Sequence, residues 1–202
     1  MSPPDERDAS CALPPESSQA LIIRPAAGGP VWSANLRAMD REGGSLRAVL
    51  GPFMAVIGRN GFARPGQKRE GDGKTPSGTF PVEHAFGYTA ETATGLVYRR
   101  IYDDDVWVDD PESADYNTWT KRALTAASSW EEMKRDDGLY RRGAVIGYNR
   151  DPVVKGHGSA IFFHAWKGRN VPTSGCVAVA EADLVALLSW LDSSLKPFFL
   201  MG

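Results

Sequence analysis

The chain has 202 residues, 42% of them hydrophobic and 24% charged, with a formal net charge of −2 at pH 7. That length and balance suit one soluble-type globular core. They remove the electrostatic case for nucleic-acid binding, and no run approaches the roughly 20 apolar residues that span a bilayer. Two cysteines, Cys11 and Cys176, are too few for a disulfide framework and leave the redox compartment open.

From Met1 to Ala20 the chain is rich in Pro, Ser, Asp and Glu. Such a segment buries too little surface to offset its ordering entropy, so 1–20 is read as disordered and 21–202 as the folded domain. No basic start followed by an apolar run is visible. The protein is therefore cytoplasmic, or an export signal has been removed from the sequence.

Short strand-like runs follow, punctuated by Gly, Pro, Asn and Asp. They cover Ser45–Leu50, Phe53–Ile57, Gly78–Val82, Leu96–Ile101, Val106–Val108, Ala144–Tyr148, Ala160–His164 and Cys176–Val179. Many short strands at this spacing predict a mainly β sandwich or barrel. Two helices are expected. Trp119 to Arg135 has strong helix formers and no Gly or Pro, while Leu184, Leu187, Leu188, Leu191 and Leu195 form one apolar stripe. Glu181 and Asp183 at its start suit the positive end of the helix dipole.

Several patterns point to other chemistry and are set aside. Gly71-Asp72-Gly73-Lys74-Thr75 lacks the glycine that a phosphate loop needs five positions before Gly73, where Lys68 stands. His84, His157, His164 and Cys176 include no paired metal-ligand spacing, so neither a metal nor a cofactor is expected. His157, between two glycines, reads as a rim residue. The acidic residues Asp103, Asp104, Asp105, Asp109 and Asp110 bracket Val106-Trp107-Val108. They read as a solvated strand end or, more specifically, as a receiver for an amine.

The run Gly158 to His164 is a strand ending in a histidine. Period-two alternation puts Ala160, Phe162 and His164 on one face, with Ile161 and Phe163 on the other. A polar loop carrying Trp166 leads to Thr173-Ser174-Gly175-Cys176, twelve positions beyond the histidine. A thiol with an ordinary pKa of about 8.5 needs a base to become a nucleophile, and imidazole is such a base. Gly175 lets substrate approach the backbone, and N–H groups beside the sulfur could hold an oxyanion, at roughly 3 kcal/mol per donor. The same residues also fit a buried apolar cysteine and a satisfied core histidine, and spacing alone does not choose between the two readings.

The block Gly158–His164 followed by Pro172-Thr173-Ser174-Gly175-Cys176-Val177 resembles the catalytic motif of the L,D-transpeptidase (YkuD-like) family. A second block, Gly58-Arg59-Asn60-Gly61 and then Gly71-Asp72-Gly73-Lys74-Thr75-Pro76-Ser77-Gly78-Thr79-Phe80, is similar to that family's early strand-turn signature. The resemblance runs from about Ser45 to Leu195. It implies a mainly β catalytic domain that acts on peptidoglycan stem peptides. Cys176 would attack the carbonyl after the L-centre of meso-diaminopimelate and expel the terminal D-alanine, with an amine or water then taking the acyl group.

The resemblance further implies His164 as base, the Ala165 carbonyl as the group orienting it, and Gly175 in the oxyanion hole. Aromatic and amide groups at Trp166, Tyr148, Asn149, Tyr116 and Asn117, with Ser174, are expected to line the groove. Two departures stand out. Ser174 occupies the place of a basic residue, and Ala178 that of a common Arg or Asn. An L,D-carboxypeptidase and an inactive wall-binding protein are the alternatives. The substrate points to the periplasm or cell wall.

Overall fold

The structure, a computed structural model, describes residues 13–202. Among the described residues, twelve strands and one α-helix follow in chain order. The strands are β1 (Gln19–Pro25), β2 (Ser33–Glu42), β3 (Ser45–Val56), β4 (Gly78–Gly87), β5 (Tyr98–Arg100) and β6 (Asp105–Val108). They continue with β7 (Trp119–Lys121), β8 (Trp130–Glu132), β9 (Arg142–Ile146), β10 (Phe162–Ala165) and β11 (Val177–Val179). Helix α1 (Glu181–Trp190) and β12 (Phe198–Met201) complete the chain.

The main sheet runs β12-β1-β2-β3-β11-β10-β9-β4, and β4 pairs back to β12, so the sheet closes on itself as a barrel with β5 added beside β4. Closure removes the free edges that a sheet of this size would otherwise expose. Most neighbours are antiparallel, while β1–β12, β10–β11 and β4–β5 run parallel. Inward side chains from every barrel strand, among them Leu21, Leu36, Ala55, Val82, Ile146, Phe163, Val177 and Phe199, form the largest core cluster. Leu184, Leu187, Leu188 and Leu191 of α1 and its C-terminal cap join that core. Leu195 leaves the stripe for a short 3-10 turn and is exposed.

A three-stranded sheet, β7-β6-β8, lies over the outer face of β9 and β10. Its Trp107 packs edge-on against Phe162 (4.9 Å between ring centroids), and Phe86, Met133, Tyr140 and Cys176 share that second cluster. Edge-to-face pairs of this kind add roughly 0.5–1.5 kcal/mol beyond their buried area. The site therefore sits between barrel and small sheet, outside the main core.

The mainly β expectation holds, with three corrections to its parts. The helix expected over Trp119–Arg135 is instead β7, a 3-10 turn at Arg122–Leu124 and β8. Both strands pair with β6. Between them, Asp110 accepts from the Ser128 N–H and hydroxyl (2.8 and 2.7 Å), and the Thr125 hydroxyl donates to Asp115 (2.8 Å). Tertiary pairing and side-chain bonds of this kind override intrinsic helix propensity. The runs Ser45–Leu50 and Phe53–Ile57 are one strand, carried through Gly51-Pro52 by a bulge opposite Leu36–Met39. Residues 13–20, expected to be disordered, belong to the folded part. Leu13, Ser17, Gln19 and Ala20 are buried, and β1 starts at Gln19. Residues 1–12, including Cys11, lie outside the described residues.

Candidate active site

The two sequence blocks are far apart in the chain and meet at one turn. Thr75, fully buried, accepts from the Gly58 N–H (2.9 Å) and donates to the Gly175 carbonyl (2.8 Å). Backbone bonds from Arg59 N to Thr173 O and from Thr173 N to Ile57 O, 2.9 Å each, lay the Thr173–Cys176 turn along the end of β3. Gly58 approaches so closely that a Cβ there would lie 2.4 Å from the Gly73 carbonyl oxygen. Only glycine fits such a contact. Within the turn, the Thr173 hydroxyl donates to Cys176 O (2.7 Å) and accepts from Gly175 N (3.1 Å). That last bond engages the N–H that Gly175 was expected to offer an oxyanion.

β10 and β11 lie side by side with His164 opposite Ala178, and both strands alternate as the sequence predicts. Phe163, Ala165, Val177 and Val179 point into the barrel. Phe162 and Cys176 belong to the outer cluster, and His164 joins them by packing its ring edge-on against Tyr140 (5.1 Å). The His164 Nδ1 lies 2.7 Å from the Ala165 carbonyl oxygen. An N–H at Nδ1 donates to that oxygen, which leaves Nε2 with the lone pair. Burial pushes the imidazole down to about 4, partly opposed by the Ala165 bond. Cys176 is a free thiol, 8% exposed. Its Sγ donates to Ala160 O (3.3 Å) and accepts from Phe162 N (3.4 Å). Burial, and after it the nearby Glu131 carboxylate, push the thiol up to about 12. Thiol and imidazole thus rest as a neutral pair, each in the form that burial favours.

Both groups open onto a cavity of about 610 Å³. Of the expected groove residues, Trp166 and Ser174 line it; Tyr148, Asn149, Tyr116 and Asn117 do not. Those four are structural. Tyr116 and Asn117 are buried; the Tyr116 hydroxyl donates to Glu70 Oε2 (2.5 Å), and Asn117 Oδ1 accepts from Trp107 Nε1 (2.9 Å). Tyr148 donates to His157 O (2.6 Å), and the Asn149 amide spans Val154 and Gly158 (2.9 Å each). Of the acidic run, Asp109 lines the cavity, while Asp105 in β6 and Asp110 just beyond that strand are buried.

Other cavity residues carried no sequence signal. Tyr140 donates to Glu131 Oε1 (2.5 Å), which also accepts from Arg135 (3.0 Å); all three fall in or just beyond the stretch read as a helix. Arg59 lies in a quoted block, yet nothing in the sequence brings it to Ser174. In the structure its guanidinium donates to the Ser174 hydroxyl (3.3 Å), returning a cation to the place where the serine removed one. Lys68, 4% exposed, is held by Asp72 (2.7 Å) at the cavity wall. Among the described residues, no group of three or more His, Cys, Asp or Glu side chains is arranged to hold a metal ion.

No curated protein matches the chain. The crystal structure of the helical cell shape determining protein Pgp2 from Campylobacter jejuni is similar at 14% identity with a TM-score of 0.44. That likeness covers 92% of this chain and 47% of the other, so the chain spans about half of that protein's length. A family model described as the L,D-transpeptidase catalytic domain, YkuD, matches residues 34–197. With that match over most of its length, the chain belongs to the YkuD family of L,D-transpeptidase catalytic domains.

Proposed function

We propose that the protein is a peptidoglycan L,D-transpeptidase working through a Cys176 thioester. His164 takes the thiol proton as the sulfur attacks the carbonyl carbon after the L-centre of a diaminopimelate stem. The C–N bond to the terminal D-alanine then breaks, and the leaving amine takes up that proton. A stem amine attacks the thioester in turn and restores the thiol. The observation that carries this reading is the 2.7 Å contact between His164 Nδ1 and the Ala165 carbonyl, on the wall of the cavity that also holds Cys176. It leaves the lone pair on Nε2, and because thiol and imidazole both rest neutral, proton transfer is part of the attack. Arg59, beside Ser174, is suited to a substrate carboxylate.

The substrate lies outside the cytoplasmic membrane, so the protein acts in the periplasm or cell wall. Among the described residues no helix is long and apolar enough to cross a membrane. Incubation with a carbapenem, followed by intact-mass measurement, should add one adduct to the wild type and none to Cys176→Ala. A folded wild type without adduct overturns the enzyme reading and favours a wall-binding role. With disaccharide-tetrapeptide, crosslinked dimer is expected; tripeptide alone would mean that water is the acceptor and that the protein is an L,D-carboxypeptidase.

A further inference from the structure

Two residues before β10 the backbone is unusual. Ala160 sits at φ 52, in the left-handed region that side chains other than glycine rarely adopt. It is 8% exposed, lines the cavity, and its carbonyl oxygen receives the Cys176 thiol proton at 3.3 Å. A conformation of this kind persists only where its surroundings over-determine it, and such positions gather at functional sites.

The surroundings that hold Ala160 are on the page. Its N–H donates to Asn117 Oδ1 (3.2 Å), and the same oxygen accepts from Trp107 Nε1 (2.9 Å). On the other side of the amide, Asn117 Nδ2 donates to Tyr148 O (3.2 Å) and Asn149 O (2.6 Å). Two donors on the oxygen and two acceptors on the nitrogen fix which way the amide points. Asn117 is itself left-handed, at φ 59, and 1% exposed. It is tied to β6 by its own N–H to Val108 O (2.8 Å), and its carbonyl accepts from the Arg150 guanidinium. The wall thus holds one fully satisfied amide, aimed at the backbone of the residue whose carbonyl accepts the hydrogen bond of the thiol.

We infer that Asn117 is a positioning residue for the nucleophile: it holds Ala160 left-handed, and the Ala160 carbonyl so aimed sets the resting orientation of the Cys176 thiol. The inference rests on the reading of Cys176 as nucleophile. It assigns to Asn117 a task that its sequence context, suggestive of a groove residue, conceals. The resting thiol gives its hydrogen to Ala160, so the S–H must turn from that carbonyl to His164 before attack. Other groups facing the sulfur are the Phe162 N–H from β10 and Tyr140 with Glu131 from the strand-β8 side. None of these touches the Ala160 backbone through Asn117, so the Asn117 contribution is separable from theirs.

The S–H stretching band in the Raman spectrum reads the thiol's hydrogen bond directly, because donation to a carbonyl lowers its frequency. Subtracting the spectrum of Cys176→Ala assigns the Cys176 band. In the wild type it should lie below the free-thiol position. In Asn117→Gly, which keeps the left-handed backbone and removes the amide, it should shift up to the free-thiol position. Should that variant fail to fold, Ala160→Val tests the same link from the other end: a β-branched residue refuses positive φ while Asn117 is intact, and the same upward shift is expected. A free-thiol band in the wild type, or an unshifted band in either folded variant, overturns the inference. The band does not depend on turnover, so this outcome is distinct from failure of the carbapenem test.

Discussion

Thr75→Val isolates the joint between the two blocks, because it keeps the side-chain shape and removes only the hydroxyl. Thr75 is fully buried, and its oxygen serves the Gly58 N–H at 2.9 Å and the Gly175 carbonyl at 2.8 Å. Valine leaves both backbone groups without that partner in a buried setting. An unsatisfied buried donor or acceptor costs roughly 1–3 kcal/mol, and the second lone pair and local relaxation recover part, so about 2–4 kcal/mol is expected for the two together. In a domain of this size each kcal/mol moves Tm by about 2–4 °C, which puts the fall at roughly 4–16 °C. Near-UV circular dichroism during heating measures it. Carbapenem acylation, followed by mass, should slow about tenfold or more as the turn under Cys176 loosens. Thr75→Ser, which keeps the oxygen, should recover most of the acylation rate. A Tm within about 2 °C of wild type in Thr75→Val, with acylation unchanged, would refute the claim that this hydroxyl joins the blocks.

Two further outcomes are expected. His164 and His84 are both pushed down to about 4, chiefly by burial, so the unfolded chain takes up protons first as pH falls. Their contribution to stability is complete above the unfolded value near 6.5 and is lost between there and about 4, at up to ~1.4 kcal/mol per pH unit for each histidine. The raised thiol works in the other direction, since the folded state keeps its proton longer, and it erodes stability above about 9. Urea titrations should therefore show a plateau between these limits, and a midpoint that rises on acidification from pH 6.5 to 5 would contradict it. Arg59→Gln removes an exposed cation beside Ser174 and should leave Tm within about 1 °C. Its KM for a tetrapeptide stem should rise about tenfold, the loss of one charge-assisted hydrogen bond; an unchanged KM removes Arg59 from the substrate site.

How much of this protein is legible without coordinates depends on how local the cause is. Alternation along Ala160–His164 places Phe162 and His164 on one face, and the spacing from Leu184 to Leu191 marks the helix stripe, because both periods are properties of the chain itself. The cysteine, the histidine and the two glycine-rich blocks are likewise readable as residue types in order, and they led to the family. What the blocks do to each other was not readable. The Thr75 hydroxyl spans a hundred positions to Gly175, and a hydrogen bond of that separation leaves no periodic trace.

Where tertiary pairing competes with local preference, the chain misleads. Trp119–Arg135 carries helix formers, yet β6 offers ladders on both sides, and the aspartates around it hold the connecting turn open. Tyr116, Asn117, Tyr148 and Asn149 are the residue types of a groove, and their hydrogen bonds to the backbone and side chains behind the site make them its supports. Arg59 reaches Ser174 only because β3 and the Thr173–Cys176 turn lie side by side. The sequence by itself determined a mainly β domain and, through its resemblance to the family, singled out Cys176 and His164 as candidates for nucleophile and base, since residue identity and period carry that information. Only the tertiary structure decided which polar groups face the cavity and which hold its walls. That choice is made by strand pairing between segments far apart in the chain, through hydrogen bonds whose partners no local pattern specifies.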